Sequence, residues 1–337
     1  MRRITIRDIA KLVGVNPSTV SRALKDHPDI GKEVKQKIQE VARELGYRPN
    51  YQAINFRQRK SKLIGLILPE LGRFFFPDMI RAIEEMTRKN GYNVIILQSN
   101  DQLEKEQECL TFCQNFGVDG VLICLTRDTK TTQNFANFLA ADIPIVYLDR
   151  TLREPGDTTV SINDFQAAHT AIQYLAGRRY QRIAGLFAGE NLQTTQLRKQ
   201  GFQAALEKYD LPRYEGYSCH ANSLTESKAA FLELLKKEPR PDAIFTMSDE
   251  LLISVTQTMY ELNLRIPEDM AVISISNGYL PYYIQPRITF IKHSGYAVGQ
   301  TAAGLLLDLI NGDEQVKTET MGKQVEVETY LVELESC

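Results

Sequence analysis

Hydrophobic and polar positions follow two different rhythms along this chain. Over the first forty-five residues or so the spacing is helical. Ile6, Ile9, Ala10 and Val13 recur at i, i+3, i+4 and i+7, which predicts one buried helix face. Thr5 and Asp8 bracket its start as a capping box, and Gly14 stops it. Asn16 is placed to cap a second helix, and Pro17 suits its first position, where a missing N–H costs nothing. Val20, Ala23 and Leu24 turn inward there, leaving Pro17, Ser18, Ser21, Arg22 and Lys25 on the opposite face. A third helix over 32–45 is expected to bury Val34, Ile38, Val41 and Leu45 and to end at Gly46.

From residue 63 the pattern changes to short apolar runs separated by amphipathic stretches. The runs 63–68, 94–97, 121–125 and 143–148 are nearly continuous, as parallel strands covered on both faces require. The stretch 77–90 between the first two reads as a helix with Met79, Ile80, Ile83 and Met86 inward. A second series at 183–187, 243–247 and 270–275 repeats the scheme. Two such βα sets predict two doubly wound α/β lobes behind a small helical head.

A chain of 337 residues has ample length for this division into two or three domains. Charge sharpens the picture of the head. Residues 1–62 hold fifteen Lys/Arg against six Asp/Glu, a net of +9, so the rest carries −11 to reach the formal total of −2. Capped helices with a polar face fit any small bundle, but a basic head on an acidic body is the footprint of nucleic-acid binding. The eighteen residues from Thr5 to Arg22 then read as a helix-turn-helix whose second helix enters a DNA major groove. No apolar stretch approaches a membrane span, and the first residues lack a signal peptide's apolar core. A cytoplasmic protein is expected. Five cysteines, at 109, 113, 124, 219 and 337, lack paired metal spacing; Cys109 and Cys113 are expected as buried thiols, with a metal or redox role as the alternative.

The run TIRDIAKLVGV, then STVSRAL, ELGYRPN and IGLILP, resembles the lactose/galactose repressor (LacI/GalR) family of bacterial transcription regulators. The resemblance continues through VDGVLI, IPIVYLDR, RIPEDMAVIS and GQTAAGLLL, nearly the whole chain. It implies a three-helix head at 1–48, a hinge at 49–62, and a periplasmic-binding-protein-like clamshell. The first lobe would take 63–161 and 294–323, and the second 162–293 and 324–337, with crossovers near 161–162 and 292–294. The helix near 296–310 would return to the first lobe and a strand near 325–331 to the second.

The implied function is a homodimer that reads a pseudo-palindromic operator in double-stranded DNA and is switched by a small-molecule effector, a sugar or related metabolite. Arg22 is the candidate for a guanine edge, because its fork matches O6 and N7. Pro17 and Ser18 occupy the family's variable reading positions, while Thr5, Thr19, Ser21 and Lys25 are candidates for phosphate contacts. In the hinge, Asn50, Ala53 and Arg57 flank Phe56, which stands where the family usually has a leucine wedge for the minor groove. The alternative is a plain linker with Phe56 packed on the body. Tyr51 and Ile54 depart from the family's usual residues, which leaves the hinge-to-hinge contact open.

Ligands of parallel α/β sheets bind beyond the carboxyl ends of the strands. The loops leaving those ends hold Phe75 and Phe76, Asp149 and Arg150, Asn163, Arg198, Ser248 and Asp249, and Ser276 and Asn277 as effector candidates. Phe75 and Phe76 match family positions that stack on effector rings, with a place in the core as the alternative. Arg198 matches the family's arginine for effector hydroxyls or carboxylates. Ser248 replaces an amide of lactose-type repressors, and Asn277 stands where many members have an aspartate, so the effector's identity stays open. No phosphate loop, nucleophile elbow or metal-spaced cluster is present, so no enzyme activity, metal or cofactor is expected. A solute-binding protein without a regulatory role is the runner-up, disfavoured by the basic head.

Overall fold

A computed structural model describes residues 4–47, 60–72, 74–132 and 135–337. The chain divides into two compact units, Met1–Ser61 and Lys62–Cys337. In the first, helices α1 (Ile6–Val13), α2 (Pro17–Leu24) and α3 (Lys32–Glu44) enclose Ile9, Ala10, Val20, Ala23, Ile38 and Ala42. The capping box is formed: the Asp8 N–H donates to Thr5 Oγ1 at 3.3 Å, and the Thr5 N–H to Asp8 Oδ2 at 2.9 Å. Gly14 ends α1 with φ +76°, a left-handed turn that a side chain would oppose.

Two details of the head differ from the expectation. Asn16 is the N-cap of α2, but its side chain makes no capping bond, and the turn relies on Pro17 instead. Val34 is 39% exposed rather than buried. It lies one turn before Ile38 on the same stripe, at the open end of α3, so the inward face is carried by Ile38 and Ala42 with partly buried Val41 and Leu45.

The larger unit is built on two six-stranded sheets. The chain first lays down β1 (Leu63–Leu68), α4 (Phe75–Lys89), β2 (Asn93–Gln98), α5 (Leu103–Phe116), β3 (Gly120–Ile123), α6 (Ala136–Ala140), β4 (Ile145–Leu148) and β5 (Thr158–Ile162). It then builds the second lobe from α7 (Asp164–Gly177), β6 (Ile183–Phe187), α8 (Gln193–Lys208), β7 (Ser218–His220), α9 (Leu224–Leu235), β8 (Ala243–Thr246), α10 (Asp249–Glu261), β9 (Ala271–Ser276) and β10 (Thr289–Lys292). Helices α11 (Gly295–Asn311) and α12 (Glu314–Thr320) follow, then β11 (Gln324–Val327) and β12 (Tyr330–Val332).

The sheet orders are β11-β5-β4-β3-β1-β2 and β12-β10-β9-β8-β6-β7. Every pairing is parallel except β10 with β12. Strands β3, β4, β5, β6, β8 and β9 are buried along their whole length, as parallel strands covered on both faces are, although β5 reads Thr-Thr-Val-Ser-Ile rather than as an apolar run. The run at 94–97 is different: β2 is an edge strand with Ile96 exposed, so it is not covered on both faces.

The C-terminal segment corrects the expected strand at 325–331 and the assignment of 324–337 to the second lobe. Gln324–Val327 pairs parallel with 159–162 in the first sheet, and only Tyr330–Val332 joins β10 in the second. One continuous strand cannot serve two separate sheets, so the chain breaks at 328–329 and crosses between lobes a third time. Helix α4 starts at Phe75, two residues before the expected 77, which puts both phenylalanines in its first turn. Helix α11 packs on α4 through glycine: a Cβ on Gly299 would lie 2.5 Å from the Met79 carbonyl oxygen, and one on Gly295 would collide with that of Phe75. This contact holds the start of α4, and hence Phe75, against the second crossover.

Candidate functional site

The exposed face of α2 is the first site. Pro17, Ser18, Arg22 and Lys25 are exposed, and Thr19 and Ser21 are half-buried. Val20 and Ala23, both fully buried, fix the helix from behind. Among the described residues, no ion pair or hydrogen bond ties down the side chains of Arg22 and Lys25. Both remain available to a partner. Thr5 differs from them. Its hydroxyl donates to Asp8 Oδ2 at 2.6 Å and its N–H to the same oxygen, so both of its donors are committed to the cap. The hinge candidates Asn50, Ala53, Phe56 and Arg57 lie outside the described residues.

The second site lies where strand ends of the two lobes face each other. An inner chamber of about 80 Å³ is lined by Phe74, Phe75, Phe76, Asp149, Arg150, Arg198, Ser248, Asp249, Glu250 and His293, among others. Ser248, Glu250, Ala188 and Leu192 also wall an outer chamber of about 230 Å³, which adds Glu70, Arg127, Asn222 and Ser223. Together the chambers reach the small end of the roughly 300–1,000 Å³ range of ligand pockets.

Strand ends and helix starts supply the polar groups. Arg198, 5% exposed, donates from Nε to Asp164 Oδ1 at 2.7 Å and from Nη1 to the Met247 carbonyl at 2.5 Å. Asp164 opens α7. Burial pushes its carboxyl up to about 6, although Arg198 pulls it back down. Asp249 opens α10 and accepts from the Ser276 hydroxyl at 2.5 Å and the Asn277 N–H at 3.2 Å. Burial raises it to about 6 as well, against those two hydrogen bonds. Arg150 donates to Asp101 Oδ1 at 2.8 Å, and Arg127 Nε to Asp101 Oδ2 at 2.7 Å. Burial alone would raise Asp101, but the Arg150 guanidinium, the Arg127 backbone N–H and the Arg127 guanidinium together outweigh it and hold the carboxyl below its usual range.

Aromatic groups close the inner end. The Phe75 ring stacks on His293 at 4.7 Å with planes 5° apart. His293 is buried and held well below its ordinary value by burial, with Arg198 and Lys292 adding to the effect, so the imidazole is neutral. Among the described residues, its Nδ1 has no hydrogen-bond partner. Asp149 takes φ +55°, a left-handed conformation at the end of β4 that is strained for a residue with a side chain.

Seven of the sequence candidates line this chamber: Phe75, Phe76, Asp149, Arg150, Arg198, Ser248 and Asp249. Ser276 and Asn277 stand behind it. Asn277 joins the lobes, donating from Nδ2 to Asp78 Oδ2 at 2.6 Å and accepting from the Gly295 N–H at 3.0 Å. Asn163 is not brought to the chamber. It caps α7, accepting from the Gln166 N–H, and donates to Glu326 Oε2 at 3.0 Å. The residue turned inward is its neighbour Asp164. Sequence reasoning also missed His293 as a lining residue, along with Glu250 and Phe74; the place of His293 at the end of a strand was the available signal.

Comparison with known proteins identifies the family. Residues 5–50 match the profile of "Bacterial regulatory proteins, lacI family", and 61–331 match "Periplasmic binding proteins and sugar binding domain of LacI family". The chain is 29% identical to the NTD biosynthesis operon regulator NtdR of Bacillus subtilis (strain 168), over 92% of this chain and 93% of that protein. It is 27% identical to catabolite control protein A of Priestia megaterium, over 91% and 93% of the respective chains. Among solved structures, the lac repressor dimer bound to operator and an anti-inducer superposes with a TM-score of 0.87 over 99% of both chains, at 20% identity. Among the described residues, no helix is long and apolar enough to cross a membrane. The two profiles together cover nearly all of the sequence, and the chain belongs to the LacI family of bacterial regulatory proteins, DNA-binding regulators of transcription with an effector-binding body.

Proposed function

We propose that this regulator is a cytoplasmic repressor acting as a homodimer on a pseudo-palindromic operator, and that a small hydroxylated metabolite, a sugar or sugar derivative, sets its operator affinity. The observation that carries the reading is the cleft: Arg198 is fixed by Asp164 and the Met247 carbonyl at the boundary of two lobes, next to an aromatic wall. A guanidinium held in this way presents its remaining N–H groups in a set direction, which suits recognition of ligand hydroxyls. The cleft binds its ligand rather than transforming it.

In the head, residues 1–48, Arg22 reads a guanine edge. Ser18 and Pro17 contribute shape and one hydroxyl, and Thr19, Ser21 and Lys25 hold phosphates. Thr5 supports them as the cap of α1. Residues 49–62 form the hinge, with Phe56 as the minor-groove wedge. Exposed apolar side chains on the second lobe, Tyr260 and Leu262 at the end of α10 and Tyr279 and Tyr283 after β9, support a face that a second copy covers.

Switching requires that the ligand prefer one arrangement of the lobes. Asn277–Asp78 and Phe75–His293 are contacts that a change of lobe angle breaks or makes. The test is capture of genomic fragments by the purified protein at near-physiological salt, with and without a cell metabolite extract. One enriched palindromic motif, whose retention changes with the extract, is expected. No enriched motif under either condition overturns the reading.

A further inference from the structure

Asn277 serves both lobes. Its backbone N–H donates to Asp249 Oδ2 at 3.2 Å, and the neighbouring Ser276 hydroxyl donates to Asp249 Oδ1 at 2.5 Å. Asp249 lines the inner chamber, so the end of β9 is one hydrogen bond away from a chamber wall. The buried Asn277 side chain engages the first lobe. Its Nδ2 donates to Asp78 Oδ2 at 2.6 Å and to the Phe74 carbonyl at 3.4 Å, both at the start of α4. Its Oδ1 accepts from the N–H of Gly295, the first residue of α11, at 3.0 Å. One carboxamide thus ties the end of β9 to the starts of α4 and α11.

The side chain at 277 is matched to Asp78. A carboxamide supplies a donor for Asp78 and an acceptor for the Gly295 N–H, whereas a carboxylate supplies acceptors alone. An aspartate at 277 would bring two carboxylates to the same short distance, where both cannot ionise. The other oxygen of Asp78 pairs with Arg81 Nη2 at 3.0 Å on the same helix.

We propose that Asn277 and Asp78 form a latch between the lobes that is set through Asp249: Asn277 is a positioning residue, passing a ligand's contact with Asp249 to the start of α4, and is not itself a ligand contact. The inference rests on the effector reading above and names the residues that carry its switch. The Asp249 carboxylate accepts from Ser276 and Asn277 and keeps lone pairs for ligand hydroxyls. A ligand that draws on this carboxylate acts on the end of β9, and hence on the latch. It shifts the lobes in proportion to its preference for the latched or the unlatched arrangement.

The experiment measures affinity for the operator duplex recovered by genomic capture, with and without the metabolite extract, together with amide hydrogen exchange of the full-length protein. Asp78→Ala and Asn277→Asp should each shrink the extract-induced change in operator affinity by about tenfold, or abolish it where the native change is smaller. That is the scale of one hydrogen bond to a charged group. Exchange over residues 76–82 should quicken in both variants. Asn277→Asp combined with Asp78→Asn exchanges donor and acceptor and keeps an acceptor for Gly295, so it should recover both the response and the slow exchange. The Asp78 side chain is 34% exposed, and Asp78→Ala carries the test if Asn277→Asp fails to fold. A full response in either single variant, or a double variant no better than Asn277→Asp, overturns the latch and leaves the effector reading standing. If capture yields no operator, the repressor reading falls and exchange decides the latch. Unchanged exchange over 76–82 in Asp78→Ala then overturns it too, and quickened exchange that the double variant slows again supports it.

Discussion

The head and the cleft both present polar groups, but in opposite states. On α2 the polar side chains have no internal partners among the described residues, with Arg22 and Lys25 exposed. In the cleft nearly every charged group is engaged: Arg198 with Asp164, Arg150 and Arg127 with Asp101, Asp249 with Ser276 and Asn277. The contrast separates two kinds of recognition. A surface that meets a polyanion in water keeps its cations mobile and lets the partner order them. Leaving a buried charge unpaired is costly because of desolvation, so the cleft's most buried charged groups are fixed before the ligand arrives. Substitutions should therefore act on affinity alone in the head, and on stability and affinity together in the cleft.

The largest expected effect tests the cleft side. Arg198→Ala leaves Asp164 buried without its cation, and loss of one partner of a buried pair costs about 3–5 kcal/mol. Thermal unfolding of the body should shift accordingly, whereas unfolding of the head should not. A variant with unchanged melting would show that the pair is not a fixed part of the cleft. Asp164→Asn, which keeps the shape and a hydrogen-bonding group, should be milder.

Acidity sharpens the same comparison. Asp164 and Asp249 both have carboxyls raised to about 6, above the unfolded value near 4, so folding favours their protonated forms. The cost of burying the charges is fully present above pH 6 and is relieved as pH falls toward 4. The body should therefore gain stability between pH 7 and pH 5 in denaturant titrations, and Asp164→Asn should flatten that slope. Asp101, held low, acts in the opposite sense only in stronger acid, where its protonation removes the arginine pairing. A slope of opposite sign between pH 7 and pH 5 would refute this account.

On the head side, Arg22→Ala should cost about 1–3 kcal/mol in operator binding and relax the preference at one base pair per half-site. Melting should stay the same, because the guanidinium supports nothing internal. A selection experiment that returned the wild-type base profile would remove Arg22 from base reading.

The same contrast explains what was legible in the sequence. Elements and faces set by local spacing are readable: β1 at Leu63–Leu68 and β6 at Ile183–Phe187 are found to the residue, since unbroken apolar runs flanked by polar residues mark buried strands. The cap of α1 and the glycine that ends it are equally local. What depends on distant partners is harder to read. Strand β2 looks as apolar as its neighbours, and only the sheet order makes it an edge. The split of 324–332 between two sheets depends on pairing with β5 and β10, which no local pattern encodes. In the cleft, Arg150 and Asp249 were found through their places after strand ends and Arg198 through its match to the family, while Arg127, on the outer chamber, was missed. His293 was recognised only as a crossover residue, because its burial depends on stacking with Phe75 from another lobe.

The smallest predicted effect concerns the residue that sequence reasoning placed one position off. Asn163 sits in an open backbone conformation just before α7, where its Oδ1 accepts the Gln166 N–H at 2.9 Å and its amide reaches Glu326. Its side chain thus points along the crossover, and Asp164, already within the helix, is turned to Arg198. Asn163→Ala should remove one cap bond and cost about 1 kcal/mol of stability, the usual worth of an asparagine cap. Effector affinity, measured with whichever sugar binds, should be unchanged, in contrast to the Arg198 variant. A drop in affinity without a drop in stability would return Asn163 to the ligand's contact shell and require the first crossover to turn its side chain inward when the cleft is filled.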